Sequence, residues 1–145
     1  MTPAHIDRKV VTQRAAWIRE TMGALRDLPL KDKEEFLRNR HYIAAAESYL
    51  RRSLEALFDV GRHILAKSFA FPATEYKEIA KGLLDKKILN EDEAELMRKM
   101  AGYRNRMVHF YHEITPEELH EVCLNHLDEI TLLLDRMLEA GRGKE

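Results

Sequence analysis

Between Asp32 and Ser68, apolar residues fall at helical spacing (Phe36, Ile43, Leu50, Leu54, Leu57, Ile64 and Leu65), and no proline intervenes before Pro72. A stripe of that length predicts one long amphipathic helix over 32–68, which must bury its apolar face against other helices. The rest of the chain repeats the pattern. Thr2 as N-cap and Pro3 at the first helical position open a helix over 3–27, with Ile6, Val10, Trp17 and Leu25 near helical spacing, and Pro29 closes it. A shorter helix over 74–86 carries Ile79, Leu83 and Leu84. Asn90, with Glu93 three residues on, reads as the capping box of a fourth helix running to Met107. Thr115, Pro116 and Glu118 open a fifth, which carries Leu119, Val122, Leu127, Ile130, Leu134 and Met137 and ends before Gly141. Only 6 glycines and 4 prolines punctuate 145 residues, and no strand-like alternation or internal repeat occurs. The expectation is an all-α up-and-down bundle of four main helices plus one shorter helix. It forms one domain over 1–145, with 142–145 as a frayed tail.

Composition narrows the function classes. Net charge is −1, so a nucleic-acid role has to use a local basic patch, because bulk charge supplies no attraction for a polyanion. The single cysteine, Cys123, lies among apolar helical positions and reads as buried packing. One cysteine allows neither an intrachain disulfide nor a Cys-based zinc cluster, which fits a reducing compartment. No apolar run approaches the roughly 18–20 residues that span a membrane, and the first residues lack a signal peptide's apolar segment. A cytoplasmic protein is expected.

The segment Met97–Tyr111 holds a charge on an unexpected face. At about 100° per residue, Met97, Met100, Ala101, Met107 and Val108 share one side of the fourth helix, and Arg104 falls in the middle of it. Arg106 points the other way. A guanidinium aimed at a core costs several kcal/mol unless it is paired or lines a cavity. Three roles are open to Arg104: an ion pair with Glu47 on the long helix, snorkelling at the bundle rim, or an anion site in which the guanidinium supplies a forked donor. His109, five residues on, is about 140° away in an unbroken helix, and the two can converge only if the helix ends near 107–109. A histidine at a helix C-terminus feels a dipole that raises its pKa, which suits proton transfer near neutral pH.

Arg104-Asn105-Arg106-Met107-Val108-His109-Phe110-Tyr111 resembles the Arg-x4-His-x-Tyr motif of HepT toxins, within the HEPN superfamily. The likeness extends to the long helix through Leu57–Ile64 and to the Tyr76…Leu83-Leu84 helix. It implies a HEPN-like bundle and a homodimeric endoribonuclease that needs no metal and no cofactor, with two motifs meeting in a composite site. The RNA 2′-hydroxyl would attack the adjacent phosphate and leave a 2′,3′-cyclic phosphate. Arg104 would hold phosphate oxygens, Asn105 would orient them, and His109 would transfer the proton. The resemblance also implies a partner, a minimal nucleotidyltransferase antitoxin that adds AMP to Tyr111.

Two other classes of function fit the same residues. One is a non-catalytic helical module that binds a nucleotide or works with a nucleotidyltransferase. The other is a structural dimerisation protein in which Arg104 is merely paired with Glu47. Arg51-Arg52, Arg98-Lys99 and Arg106 could form an RNA track if they face one cleft, and His41-Tyr42 beside Arg38 and Arg40 could extend it. Asp59 and His63, one helical turn apart, are two groups short of a metal site and read as a hydrogen-bonded pair.

Overall fold

The long stripe folds as a helix and is broken once. In the computed structural model, which describes residues 8–109 and 114–143 (side chains of 8–108 and 114–140), the helices are α1 (Arg8–Arg26), α2 (Lys33–Arg38), α3 (Arg40–Phe69), α4 (Tyr76–Asp85), α5 (Glu91–His109), α6 (Pro116–Asn125) and α7 (Leu127–Gly143). The described residues contain no strand. The all-α bundle stands, but two of the five expected helices are each divided in two. Asn39 takes an extended conformation (φ −110°, ψ 107°), and its side chain accepts from the His41 N–H at 2.8 Å. It thus ends α2 and caps α3, a local hydrogen bond outcompeting the helical one. The fifth expected helix breaks at His126 (φ −121°, ψ 4°), and α7 then runs past Gly141 to Gly143. The expected start at Thr2, Pro3 and Ile6 and residues 144–145 of the expected frayed tail lie outside the described residues.

Helix α3 is the axis of the molecule and packs against each of the other six described helices. Its Leu50, Leu54, Leu57, Phe58, Ile64 and Leu65 are fully buried, each contributing about 1.5–3 kcal/mol through surface removed from water. Gly61 allows a close approach: a Cβ there would stand 3.1–3.2 Å from Ile79, Leu83 and Met137. The inner stripe of α1 is Val11, Ala15, Ile18, Met22 and Leu25, one residue out of phase with Val10 and Trp17, which are only half-buried. Cys123 is buried as expected, and loss of solvent pushes its thiol up to about 12. None of the described helices is long and apolar enough to cross a membrane.

Candidate functional site

Helix α5 starts as the sequence indicates. Asn90 Oδ1 accepts from the Glu93 N–H at 2.8 Å, and Glu93 Oε1 accepts from the Asn90 N–H at 3.0 Å. Ala94, Met97 and Met100 then face the core, fully buried. Four residues beyond Met100 the same face reaches the edge of the bundle, where α3 and α4 flank it, and there it presents Arg104.

Arg104 is held on three sides. Its Nε and Nη2 donate to one oxygen of Glu55 at 3.1 and 2.9 Å. Its Nη1 lies 3.4 Å from Asn105 Oδ1, and its guanidinium carbon sits 5.0 Å from the centroid of the Tyr76 ring. Tyr76 is itself stacked on Phe58, with ring centroids 4.3 Å apart and planes 6° from parallel. Burial pushes the Tyr76 hydroxyl above its ordinary pKa, opposed by Arg104 and assisted by the Glu55 charge. Glu55 accepts a further bond from Arg51 at 3.1 Å through its other oxygen, so two guanidiniums share one carboxylate and the cluster keeps a positive charge.

The expected partner Glu47 is therefore replaced by Glu55; Glu47 is exposed. The two lie eight residues apart on α3, about 12 Å at the helical rise. With its side chain only 21% exposed, Arg104 is neither fully buried nor snorkelled into solvent.

Arg104 and Asn105 line a cleft of ≈ 620 Å³ with Thr74, Tyr76, Lys77 and Arg98, between the start of α4 and the outer half of α5. The structure thus brings two of the expected site residues together at the lip of a cleft. The helix continues through position 109, its last residue, so His109 lies one turn after Asn105 on the same helical line. The His109 side chain and the whole of Tyr111 lie outside the described residues.

The expected basic track does not form on one face. Arg98 lines the cleft, whereas Arg51 holds Glu55 on α3 and Arg52 lies over the Trp17 ring. Lys99 sits over Tyr103, and Arg106 pairs with Glu118, joining α5 to the first turn of α6. The Asp59 carboxylate is taken by Arg14 and Arg62. Burial acts to raise its pKa, but the hydrogen bonds and charges of both arginines outweigh that and hold it below the ordinary aspartate value. Arg38, Arg40, His41 and Tyr42 do come together, at the α2–α3 break. Among the described residues, no three His, Cys, Asp or Glu side chains converge as metal ligands would.

Sequence reasoning missed Glu55 and Tyr76. Arg51 and Glu55, four apart on α3, gave a weak local signal, since such a pair is more commonly a solvated one. Tyr76 entered the sequence reading only as part of the resemblance of its helix, and nothing local placed its ring against Arg104.

A family model described as "Ribonuclease HepT-like" matches residues 18–137. Among solved structures, the fold is similar to that of a toxin–antitoxin complex with AMP-PNP (TM-score 0.80, 19% identity, 88% of this chain and 97% of that one). It is equally similar to a tri-AMPylated Shewanella oneidensis HEPN toxin in complex with MNT antitoxin (TM-score 0.80, 20% identity, 90% and 97%). A mutant MntA–HpeT toxin–antitoxin structure also matches (TM-score 0.80, 20% identity, 92% and 99%). At these identities the likeness carries the fold alone. No curated protein matches the sequence.

Proposed function

Because this chain belongs to the HepT-like ribonuclease family, we propose that it is the toxin of a toxin–antitoxin pair and cleaves RNA by 2′-hydroxyl transesterification. One observation carries the reading: a half-buried arginine and its neighbouring asparagine stand together at the lip of a cleft. They occupy the first two positions of the Arg-x4-His pattern, whose histidine is the last residue of the same helix. In the reaction a base removes the 2′-hydroxyl proton and O2′ bonds to phosphorus. The P–O5′ bond breaks, and the 5′-oxygen takes a proton as it leaves. The chemistry needs proton transfer and stabilisation of charge on the phosphorane.

In this reading His109 transfers the proton and Arg104 neutralises the non-bridging oxygens. Asn105 orients the phosphate. Two copies of the chain bring two such motifs into one composite site, in a single HEPN-like domain acting in the cytoplasm without a metal or other cofactor. The partner is a minimal nucleotidyltransferase antitoxin that transfers AMP to Tyr111; the AMPylated HEPN toxin of Shewanella oneidensis, with its MNT antitoxin, supports this by its common fold. Phosphate charge placed beside Arg104 would compete for the anion site that RNA needs.

The Arg104–Glu55 ion pair favours a second reading, a structural dimerisation protein in which the arginine is only paired. One experiment separates the two. RNA cleavage by wild type is expected to persist in EDTA, and His109→Ala is expected to lose about 10²–10⁴-fold in rate while its melting temperature holds. Well-folded wild type, free of modification at Tyr111 by mass, that neither cleaves RNA nor arrests growth would leave only the non-catalytic readings.

A further inference from the structure

Tyr76 and Glu55 form a wall with two sides. On one side is the cleft of Arg104; on the other they line a second cleft of ≈ 540 Å³ together with Arg14, Trp17, Asp59 and Arg62. This second cleft lies between α1 and α3, and none of its residues belongs to the Arg-x4-His pattern.

Two features of this cleft call for an occupant. Trp17 is the only tryptophan of the chain, yet it stands half-exposed on α1, whose inner stripe is complete without it. An indole left against water forgoes the large burial that ordinarily makes tryptophan worthwhile. It lines the cleft while the Arg52 guanidinium carbon lies 5.2 Å from its ring centroid. Asp59, shared by Arg14 and Arg62, leaves that trio one positive charge in excess. Glu55, the second carboxylate lining this cleft, is likewise shared by two guanidiniums, Arg51 and Arg104. An aromatic face beside arginines that are only partly neutralised is the chemistry that single-stranded RNA recognises: a base stacks on the ring and the backbone lies against the cations.

We infer that the Trp17 cleft is a nucleotide subsite, in which a base of single-stranded RNA stacks on Trp17 and its phosphate meets Arg14 and Arg62. The inference rests on the ribonuclease reading. It places the neighbour of the scissile nucleotide across the Tyr76 wall from Arg104. Such a subsite also accounts for RNA binding by a chain of net charge −1, because the attraction is local.

The sole tryptophan makes the test direct. The full chain is titrated with a 2′-O-methyl oligonucleotide, which lacks the attacking hydroxyl, while Trp17 emission is followed. Saturable quenching is expected, and an abasic oligonucleotide or inorganic phosphate should not reproduce it. Trp17→Ala should weaken the Kd for the oligonucleotide, measured by anisotropy of a labelled strand, by about tenfold or more. The loss in cleavage should fall on KM, and Trp17→Phe should recover most of it. Wild type that cleaves RNA while saturating oligonucleotide leaves Trp17 emission unmoved overturns this inference and spares the ribonuclease reading. Wild type that neither cleaves nor binds removes both. Emission that shifts with protein concentration and no RNA would show a second copy seated in the cleft, which also overturns the subsite.

Discussion

The two halves of α5 are one continuous helix built for opposite purposes. Its first half is tied down at every level: Asn90 and Glu93 cap it, Arg136 of α7 holds Glu93 at 2.7 Å, and Met97 and Met100 are fully buried. In its second half, residues 104–108 are all half-buried, and the polar groups are held by partners on α3 and α6 rather than by a closed core. The difference teaches where a helical bundle can keep a cation. On the core face of the first half a guanidinium would have to replace the fully buried Met97 or Met100, whereas four residues past Met100 it finds Glu55, the Tyr76 ring and an open cleft. The first half is buried against the core, and the half-buried second half carries the polar groups at the lip of the cleft.

Substitution at the junction breaks the comparison most sharply. Met100→Ala should cost about 2–5 kcal/mol of stability by leaving a cavity. Arg104→Ala should cost only about 1 kcal/mol, because Glu55 keeps its bond to Arg51 and no charge is orphaned. Urea denaturation of both variants checks this, and equal losses would make Arg104 a core residue. The cap comes next. Asn90→Ala should lower stability by about 1 kcal/mol with cleavage unchanged below the melting transition, since it frees only a donor at the far end of the helix. Cleavage that falls together with stability would show the two halves to be one unit. Gly102 is the smallest expected effect and the finest probe of the boundary. A Cβ there meets nothing within 4 Å, so Gly102→Ala should gain about 0.5–1 kcal/mol from helix propensity. A gain in melting temperature accompanied by loss of cleavage would mean that this bare stretch beside Arg104 is used for the close approach of RNA or of a second subunit.

Much of the architecture was legible before folding was considered. The starts of α5 and α6 follow from Asn90–Glu93 and Thr115–Pro116–Glu118, because a cap is settled by bonds among residues three apart. The breaks at Asn39 and His126 were not legible. Apolar spacing resumes on both sides of each, and at Asn39 one local hydrogen bond decides that the helix stops. The phase of α1 was misread for a related reason: Trp17 is the largest side chain of the helix, and its size drew the stripe outward by one residue.

The sequence by itself determined that the protein is all-α, that Cys123 is core, and that Arg104 lies on the buried side of its helix. These are matters of period and of charge on an apolar face, and a helix carries both within its own turns. Which carboxylate meets Arg104 is a different kind of question. Glu47 and Glu55 both lie on α3, about 12 Å apart in height and about 80° apart around it, and no local rule sets how far α5 slides against α3. Only the tertiary structure could therefore select Glu55, raise the Tyr76 wall beside it and open a cleft on either side.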